Sequence, residues 1–536
     1  MSEQVRTGAI RRLARRLALA MLVGGLTGCA PSSLSLAPEA PDVPYKPEAP
    51  TVRAEAPAPA ASKFTPTGAR DFGLEPLPDL QFDAGPAGLD AGHVYSLAEL
   101  IDLAQTSNPE TRAAWERARQ AALAVGVVKA FYLPMMSATA IGGYQHTSGS
   151  NQVAGVLSNP GSGNANGTVS GVALQWLLFD FGQRDAYKEA AVNLSLASNL
   201  LFNGAHQKII YDVSRNFYEY TSARQRVNIS EKTRQESARL LDVAREKFKN
   251  GVGTVVETAQ ARQLLAQADF NLVQARGAER DFYHALIAAI GISPQARLRI
   301  ADVSGRPLSP AAMIPVDKLI AAAIARRADV QASYAAAKAA HTGIAAAQAE
   351  FMPKVFLTAS GNYVTGGLNI TSTPSLNLGA MGSPSVPVSA GSSFNASNAA
   401  VLGGVTIPIY DGGIRDARLR DAQSRSDAAQ AVLQRLQQNA ASEIVTADDA
   451  LRSSLAAYQA ADVLVAASKT TADAAFAAYQ SGAGALPAVI EAEKALLLAR
   501  LAQEQAHGTA LIAAATLAFA AGRLSSSDAL DAGRPR

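Results

Sequence analysis

Apolar residues recur at intervals of three and four through two long stretches of this chain. Leu194, Ala197 and Leu201 open the first stretch, and Ile210, Val213, Phe217 and Tyr220 continue it. Leu433, Leu436, Ala440, Ile444, Ala447 and Leu451 mark the second. That spacing predicts helices packed as coiled coils. Neither stretch is interrupted: Asp180 to Gly251 and Asp411 to Gly482 each span 71 positions without a proline. At 1.5 Å per residue such a helix reaches about 100 Å, longer than a globular domain accommodates. Before the first lies an Ala-rich segment, 96–132, predicted as a helix that breaks or starts near Asn108-Pro109 and ends at Pro134. A turn with Gly251 and Gly253, or Gly482 and Gly484, leads into a return helix. In each half the two shorter helices together match the long one, as in a rod of even thickness.

The polar pattern changes between these helices. Ala130–Phe179 and Val355–Tyr410 contain no Asp, Glu, Lys or Arg over fifty and fifty-six residues, in a chain that is 17% charged. Neither has an apolar run of the roughly 20 residues a membrane helix needs. Each instead has two segments of β-like composition, 134–146 with 168–180 and 354–365 with 400–411, separated by Gly/Ser/Asn-rich loops. Val172, Leu174, Trp176 and Leu178 fall on one strand face, and Val401, Val405, Ile407 and Ile409 alternate with smaller residues. This is the dyad pattern of outer-membrane strands. Soluble hairpins guard their edges with Lys or Glu, which these lack. Four strands cannot close a barrel, and lipid does not tolerate an open edge. Known closures begin at about eight strands. A monomer is thereby excluded, and three protomers are not distinguished from four.

The chain is a tandem repeat. Leu97, Leu100, Pro134 and Tyr144 recur as Val316, Leu319, Pro353 and Tyr363 at an offset of 219. Phe179-Asp180-Phe181-Gly182 with Arg184-Asp185-Ala186 recurs at an offset of 231 as Tyr410-Asp411-Gly412-Gly413 with Arg415-Asp416-Ala417. Phe248, Gly251 and Gly253 match Tyr479, Gly482 and Gly484 at the same offset. Twelve residues are therefore added in one hairpin loop of the second half. The first repeat covers 93–300: a helix, a β-hairpin at 133–180, a long helix at 181–250 and a helix at 254–291. The second covers 301–522, with a hairpin at 352–411, a long helix at 412–481 and a helix at 486–521. A disordered tail, 523–536, follows.

Charge adds one correction. The chain has 48 Lys+Arg against 45 Asp+Glu, a net +3. Residues 1–28 hold Arg6, Arg11, Arg12, Arg15, Arg16 and Glu3, a net +4, so the remainder carries −1. Nucleic acid is excluded as a partner on that balance. Basic Arg11–Arg16 and apolar Leu17–Leu26 form a signal peptide too short to span a bilayer. It ends in Leu26-Thr27-Gly28-Cys29, which resembles a bacterial lipobox, so the only cysteine is the expected acylation site. Ala30 in place of Asp points, by the same resemblance, to the outer membrane. The Pro/Ala-rich segment 29–92 is predicted as an extended tether.

Catalytic signatures are missing. There is no GxxxxGK[ST] loop and no HExxH, the glycine cluster Gly161–Gly167 precedes no helix, and His206 and His284 lack ligand partners in sequence. Asp448-Asp449 sits on a long helix. No enzyme activity, metal or cofactor is expected, so energy for transport comes from a partner.

The repeat, the helix lengths, the aromatic-Asp motifs closing each hairpin and the glycine turns together resemble the outer membrane factor family of TolC-like channels. The lipobox points to its lipoprotein branch, which serves multidrug efflux. The resemblance covers about 93–522. It implies a mainly α protein with membrane β-strands, as a homotrimer with a 12-stranded β-barrel and an α-helical barrel across the periplasm. It also implies a periplasmic adaptor protein and an inner-membrane transporter as partners, with the turn residues Phe248, Gly251, Gly253, Tyr479, Gly482 and Gly484 as adaptor contacts. Family turns carry acidic residues at a closed end; by position these are Glu257 and Glu491, with Ala488 replacing an acid in the second copy. The same two residues also fit ordinary solvated helix surface. The expected function is a passive export duct for small toxic compounds. A protein-secretion duct and a periplasmic coiled-coil scaffold are the alternatives.

Overall fold

The structure, a computed structural model, describes residues 89–153, 157–303, 308, 316–372, 375–376 and 388–524. Cys29, the signal segment, the tether up to 88 and the tail from 525 lie outside them. The elements run β1 (Val94–Tyr95), α1 (Leu97–Ser107), α2 (Pro109–Ala130), β2 (Met135–Val153), β3 (Leu157–Phe179), α3 (Gln183–Lys249) and α4 (Val255–Ile290). The second half runs β4 (Arg299–Ile300), α5 (Val316–Ile324), α6 (Ala328–Ala349), β5 (Lys354–Ser372), β6 (Ser375–Leu376), β7 (Val388–Thr406), α7 (Ile414–Ser481) and α8 (Leu486–Ala520). Two compact units result. One holds Ala124–Val192 and Lys338–Asp427; the other holds Asn193–Ala337 with 89–123 and 428–524.

The first unit is built on an antiparallel sheet of order β2-β3-β5-β7, with β6 pairing the start of β3. Both outer strands, β2 and β7, have one edge without a partner among the described residues. The strands are longer than the 10–12 residues the side-chain pattern predicts: 19 in β2, β5 and β7, and 23 in β3. The ladder is made by backbone groups, so Gly, Ser and Asn residues that read as loop pair on from Gly143↔Gly167 to Val153↔Leu157. The last strand is shifted the other way. It ends at Thr406 and not near 411, because Pro408 has no N–H to donate and restricts Ile407 before it. Ile407 and Ile409 therefore leave the alternating series.

Registered partners in adjacent strands point to the same side of a sheet. Met136, Leu174, Ala359 and Val401 form one such row, and Ala138, Val172, Gly361 and Ala399 the next. Trp176 with Leu357 and Val355 with Val405 extend that side, which has no polar residue across these rows. The other side of this stretch mixes Ser137, Thr139, Gln175, Thr358, Ser360, Asn362 and Asn398 with Met135, Phe356 and Leu402, and further along it the row Ile141, Val169, Val364 and Ala396 is apolar. A bulge between Leu177 and Phe179 removes Leu178 from the apolar series and puts Phe179 opposite Val355.

Each strand-to-helix junction carries one Asp–Arg staple, four residues apart. Arg184 Nε lies 2.8 Å from Asp180 Oδ2, both side chains buried, and its Nη atoms donate to the carbonyls of Phe131, Leu177 and Leu178. The guanidinium also stacks 4.7 Å from the centre of the Tyr132 ring. In the second repeat Arg415 Nε lies 2.7 Å from Asp411 and donates to one carbonyl, Pro408. The chain reverses there through left-handed residues: Gly412 and Gly413 in the second copy, but Phe181 and Gly182 in the first, with Phe181 at φ 53°.

In the helical unit Pro109 starts α2 where its missing N–H is harmless, and extended Asn108 separates it from α1. A matching break between α5 and α6, which hydrophobic spacing does not predict, is braced by Arg327 clamped to Asp329 and Glu443. Leu100, Ile209, Val213, Phe217, Leu286 and Ile290 form the largest core. Several smaller clusters are chiefly alanine, as at Ala197, Ala332 and Ala335, which lets helices approach closely.

Candidate functional site

The turns ending α3 and α7 gather most of the residues expected to carry function. Gly251 at φ +77° and Gly482 at φ +83° reverse the chain in a conformation that glycine adopts without strain. Two residues on, Gly253 and Gly484 donate to the carbonyls of Lys247 and Ala478 at 3.0 and 2.9 Å. A Cβ on Gly253 would lie 2.9 Å from the Phe248 nitrogen, and on Gly484 3.0 Å from Ala478 Cβ. Both glycine pairs are therefore geometric requirements of the turn.

The return helices begin differently. Thr254 caps α4 through a reciprocal pair: Thr254 N–H donates to Glu257 Oε2 at 2.8 Å, and Glu257 N–H to Thr254 Oγ1 at 3.2 Å. Ala485 offers α8 no side-chain cap, and Pro487 supplies the preset first turn instead. Glu257 is thus occupied in the cap, half-buried. Glu491 is exposed and paired with Lys494 at 3.0 Å. The two carboxylates have separate partners.

The aromatic repeat-mates also separate. Tyr479 is 2% exposed, packed against Leu240, Leu241, Ala244, Leu486 and Val489, whereas Phe248 is 47% exposed. Burial and the Glu257 charge raise the Tyr479 phenol above its usual range. Lys247 reaches from α3 over the Tyr479 ring, 4.2 Å to its centre, and donates to the Tyr479 carbonyl. The turns of the two repeats thus meet within one chain. Around Phe248, by contrast, an open groove is lined by Arg245, Val255, Thr258 and Arg262.

One titrating residue lies outside the positions the sequence points to. Glu493, half-buried on α8, is pushed up to about 7 by burial first and then by Glu236 and Asp473, against the opposing pull of Arg500. Arg500 itself holds Glu236 on α3 at 3.0 Å. The sequence signal was present: Val489, Glu493 and Leu496 share the buried helical face, whereas Glu491 does not. Among the described residues no cluster of His, Cys, Asp or Glu has the makings of a metal site.

Comparison with known proteins agrees with the repeat. Protein CyaE of Bordetella pertussis is 26% identical over 467 residues, covering 83% of this chain and 90% of its own length. Outer membrane protein OprJ of Pseudomonas aeruginosa is 25% identical over 413 residues, covering 76% and 79%. The crystal structure of the outer membrane protein VceC from Vibrio cholerae superposes with a TM-score of 0.62 at 21% identity, over 80% of this chain and 96% of VceC. A CusC crystal structure gives 0.65 at 20% identity, over 83% and 98%. The outer membrane efflux protein family matches residues 100–292 and 319–523, one segment in each repeat. Long paired helices, an open antiparallel sheet and a family match running through both repeats agree, and the chain belongs to the outer membrane efflux protein family.

Proposed function

We propose that this chain is the outer-membrane duct of a tripartite efflux system, passing small toxic compounds from an inner-membrane transporter to the exterior. The observation that carries this reading is the sheet: strands with no ionic side chain beyond Lys354 at the start of β5, two apolar rows running across β2, β3, β5 and β7, and outer edges of β2 and β7 without a partner among the described residues. An edge in lipid leaves backbone groups unpaired, at several kcal/mol each. Sister chains supply the missing partners, and three copies give the 12-stranded barrel. Cys29 anchors the chain through acyl groups and the segment to residue 92 tethers it.

The turn end is the docking and closing end. Val252, 76% exposed between Gly251 and Gly253, suits an adaptor's helical tips. Glu257 and Glu491, brought into rings by threefold symmetry, are the proposed gate carboxylates. Purified chain in planar bilayers tests the reading: stepwise conductance from a detergent-solubilised trimer supports it, and a non-conducting, water-soluble species refutes it. Loss of the gene, checked on a broad drug-susceptibility panel, identifies the exported class. Labelled palmitate incorporation that disappears on Cys29→Ala tests the anchor.

A further inference from the structure

Two glycines inside the return helices are repeat-mates: Gly277 on α4 and Gly508 on α8, in the strings Gln274-Ala275-Arg276-Gly277 and Gln505-Ala506-His507-Gly508. A glycine weakens a helix interior, so each position needs a reason. For Gly508 the reason lies within the chain. A Cβ there would meet Ser222 of α3, 3.0 Å from its Oγ and 3.2 Å from its Cβ. For Gly277 no atom of the described residues lies within 4 Å of the same added atom. The repeat-mate of Ser222 is another serine, Ser453, exposed on α7.

We infer that Gly277 of one chain seats against Ser453 of a second copy, repeating between chains the Gly508–Ser222 contact made within one. Neighbouring repeat-mates agree. Tyr479 and Leu486 are covered by the first repeat and are 2% and 0% exposed; their mates Phe248 and Val255 are 47% and 65% exposed. Val273, about three turns along α4 from Arg262 and four residues before Gly277, is also 65% exposed. An apolar face whose twin is already buried against this same fold is fitted to a second copy of the fold.

The two contacts differ in polarity. Within the chain, the α3–α8 contact carries the Arg500–Glu236 ion pair and a 2.6 Å hydrogen bond from Arg226 to Gln505, and the turn adds Lys247 on Tyr479. On α7 the mates of Glu236, Arg226 and Lys247 are Ala467, Ala457 and Ala478. The contact between chains therefore relies on close packing, with no ionic tie at any of the three positions.

This register rests on the trimer proposed above, and the test separates the two. The chain carrying Gly277→Cys and Ser453→Cys is oxidised in membranes, beside Ser222→Cys with Gly508→Cys as the within-chain control. The control pair is expected to close inside a monomer, and the test pair to give covalent dimers and trimers, at least tenfold above either single variant. Co-expressed Gly277→Cys and Ser453→Cys chains, each keeping one unaltered face, are expected to give a covalent dimer. A wild-type trimer by native mass with no cross-link from either arrangement overturns the register alone. A wild-type species that is not a trimer overturns both.

Discussion

The ammonium of Lys247 sits 4.2 Å from the centre of the Tyr479 ring and donates to the Tyr479 carbonyl, joining the end of α3 to the end of α7. The contact ties the first repeat's turn to the second's. A partly desolvated cation over an aromatic face contributes about 1–2 kcal/mol. Lys247→Met is expected to loosen the turn end by that amount and to raise background conductance in planar bilayers several-fold. Lys247→Arg keeps the cation and is expected to stay near wild type. Equal conductance of Lys247→Met and wild type would mean that this tie does not restrain the closed end.

The Tyr479 hydroxyl is buried and has no hydrogen-bond partner among the described residues. A buried unsatisfied polar group costs about 1–3 kcal/mol, which removing it recovers in part. Tyr479→Phe is therefore expected to leave stability unchanged or to raise it by up to about 1 kcal/mol, read as the thermal midpoint in detergent. The ring and its cation contact remain. Tyr479→Ala removes the ring from a packed cluster and is expected to cost about 3 kcal/mol or more.

Which parts of this were legible before the structure follows from what each signal measures. The long helices were readable because Leu194 to Leu451 carry a helical apolar period, and the turns because glycine adopts the left-handed conformation of Gly251 and Gly482 without strain. Strand length was not. Pairing of Gly161 with Gly149 and Ser372 is a backbone event, on which side-chain alternation is silent. The bulge at Leu178 was hidden for a related reason, since alternation continues on paper through the inserted residue. At the turn end, Glu491 and Glu493 are two positions apart and equally acidic. Only helical phase separates the one facing Lys494 in solvent from the one facing Glu236.

The Asp–Arg staples make unequal contributions although their motifs look alike. Arg184 and Asp180 are both buried, and Arg184 satisfies three carbonyls; Arg415 satisfies one, and Asp411 is more open. Removing one member of a buried pair strands the other and costs about 3–5 kcal/mol. Arg184→Ala is expected to reach that range, and Arg415→Ala to cost about 1–2 kcal/mol, nearer a charge-assisted hydrogen bond. Denaturant midpoints of the detergent-solubilised protein compare them. Equal losses would show that the extra carbonyl contacts of Arg184 contribute nothing.

Glu493 gives the helical unit a pH dependence whose sign is set by the direction of its shift. Its folded-state carboxyl is raised from 4.5 to about 7, with Glu236 on α3 and Asp473 on α7 facing it and Arg500 on its own helix opposing them. The folded chain therefore holds this proton more tightly than the unfolded chain does. Its neutral form is fully favoured below about 4.5, and stability falls as pH rises from there through about 7, where Glu493 ionises against two carboxylates. Above that range the loss is complete and constant. Glu493→Gln keeps the shape without the proton, so it is expected to flatten this slope and to melt higher than wild type at pH 8. At pH 5 the two are expected to melt close together. Arg500→Gln removes the cation holding Glu236, and is expected to steepen the same slope. A wild-type midpoint that is flat between pH 5 and 8 would contradict the burial of this carboxyl.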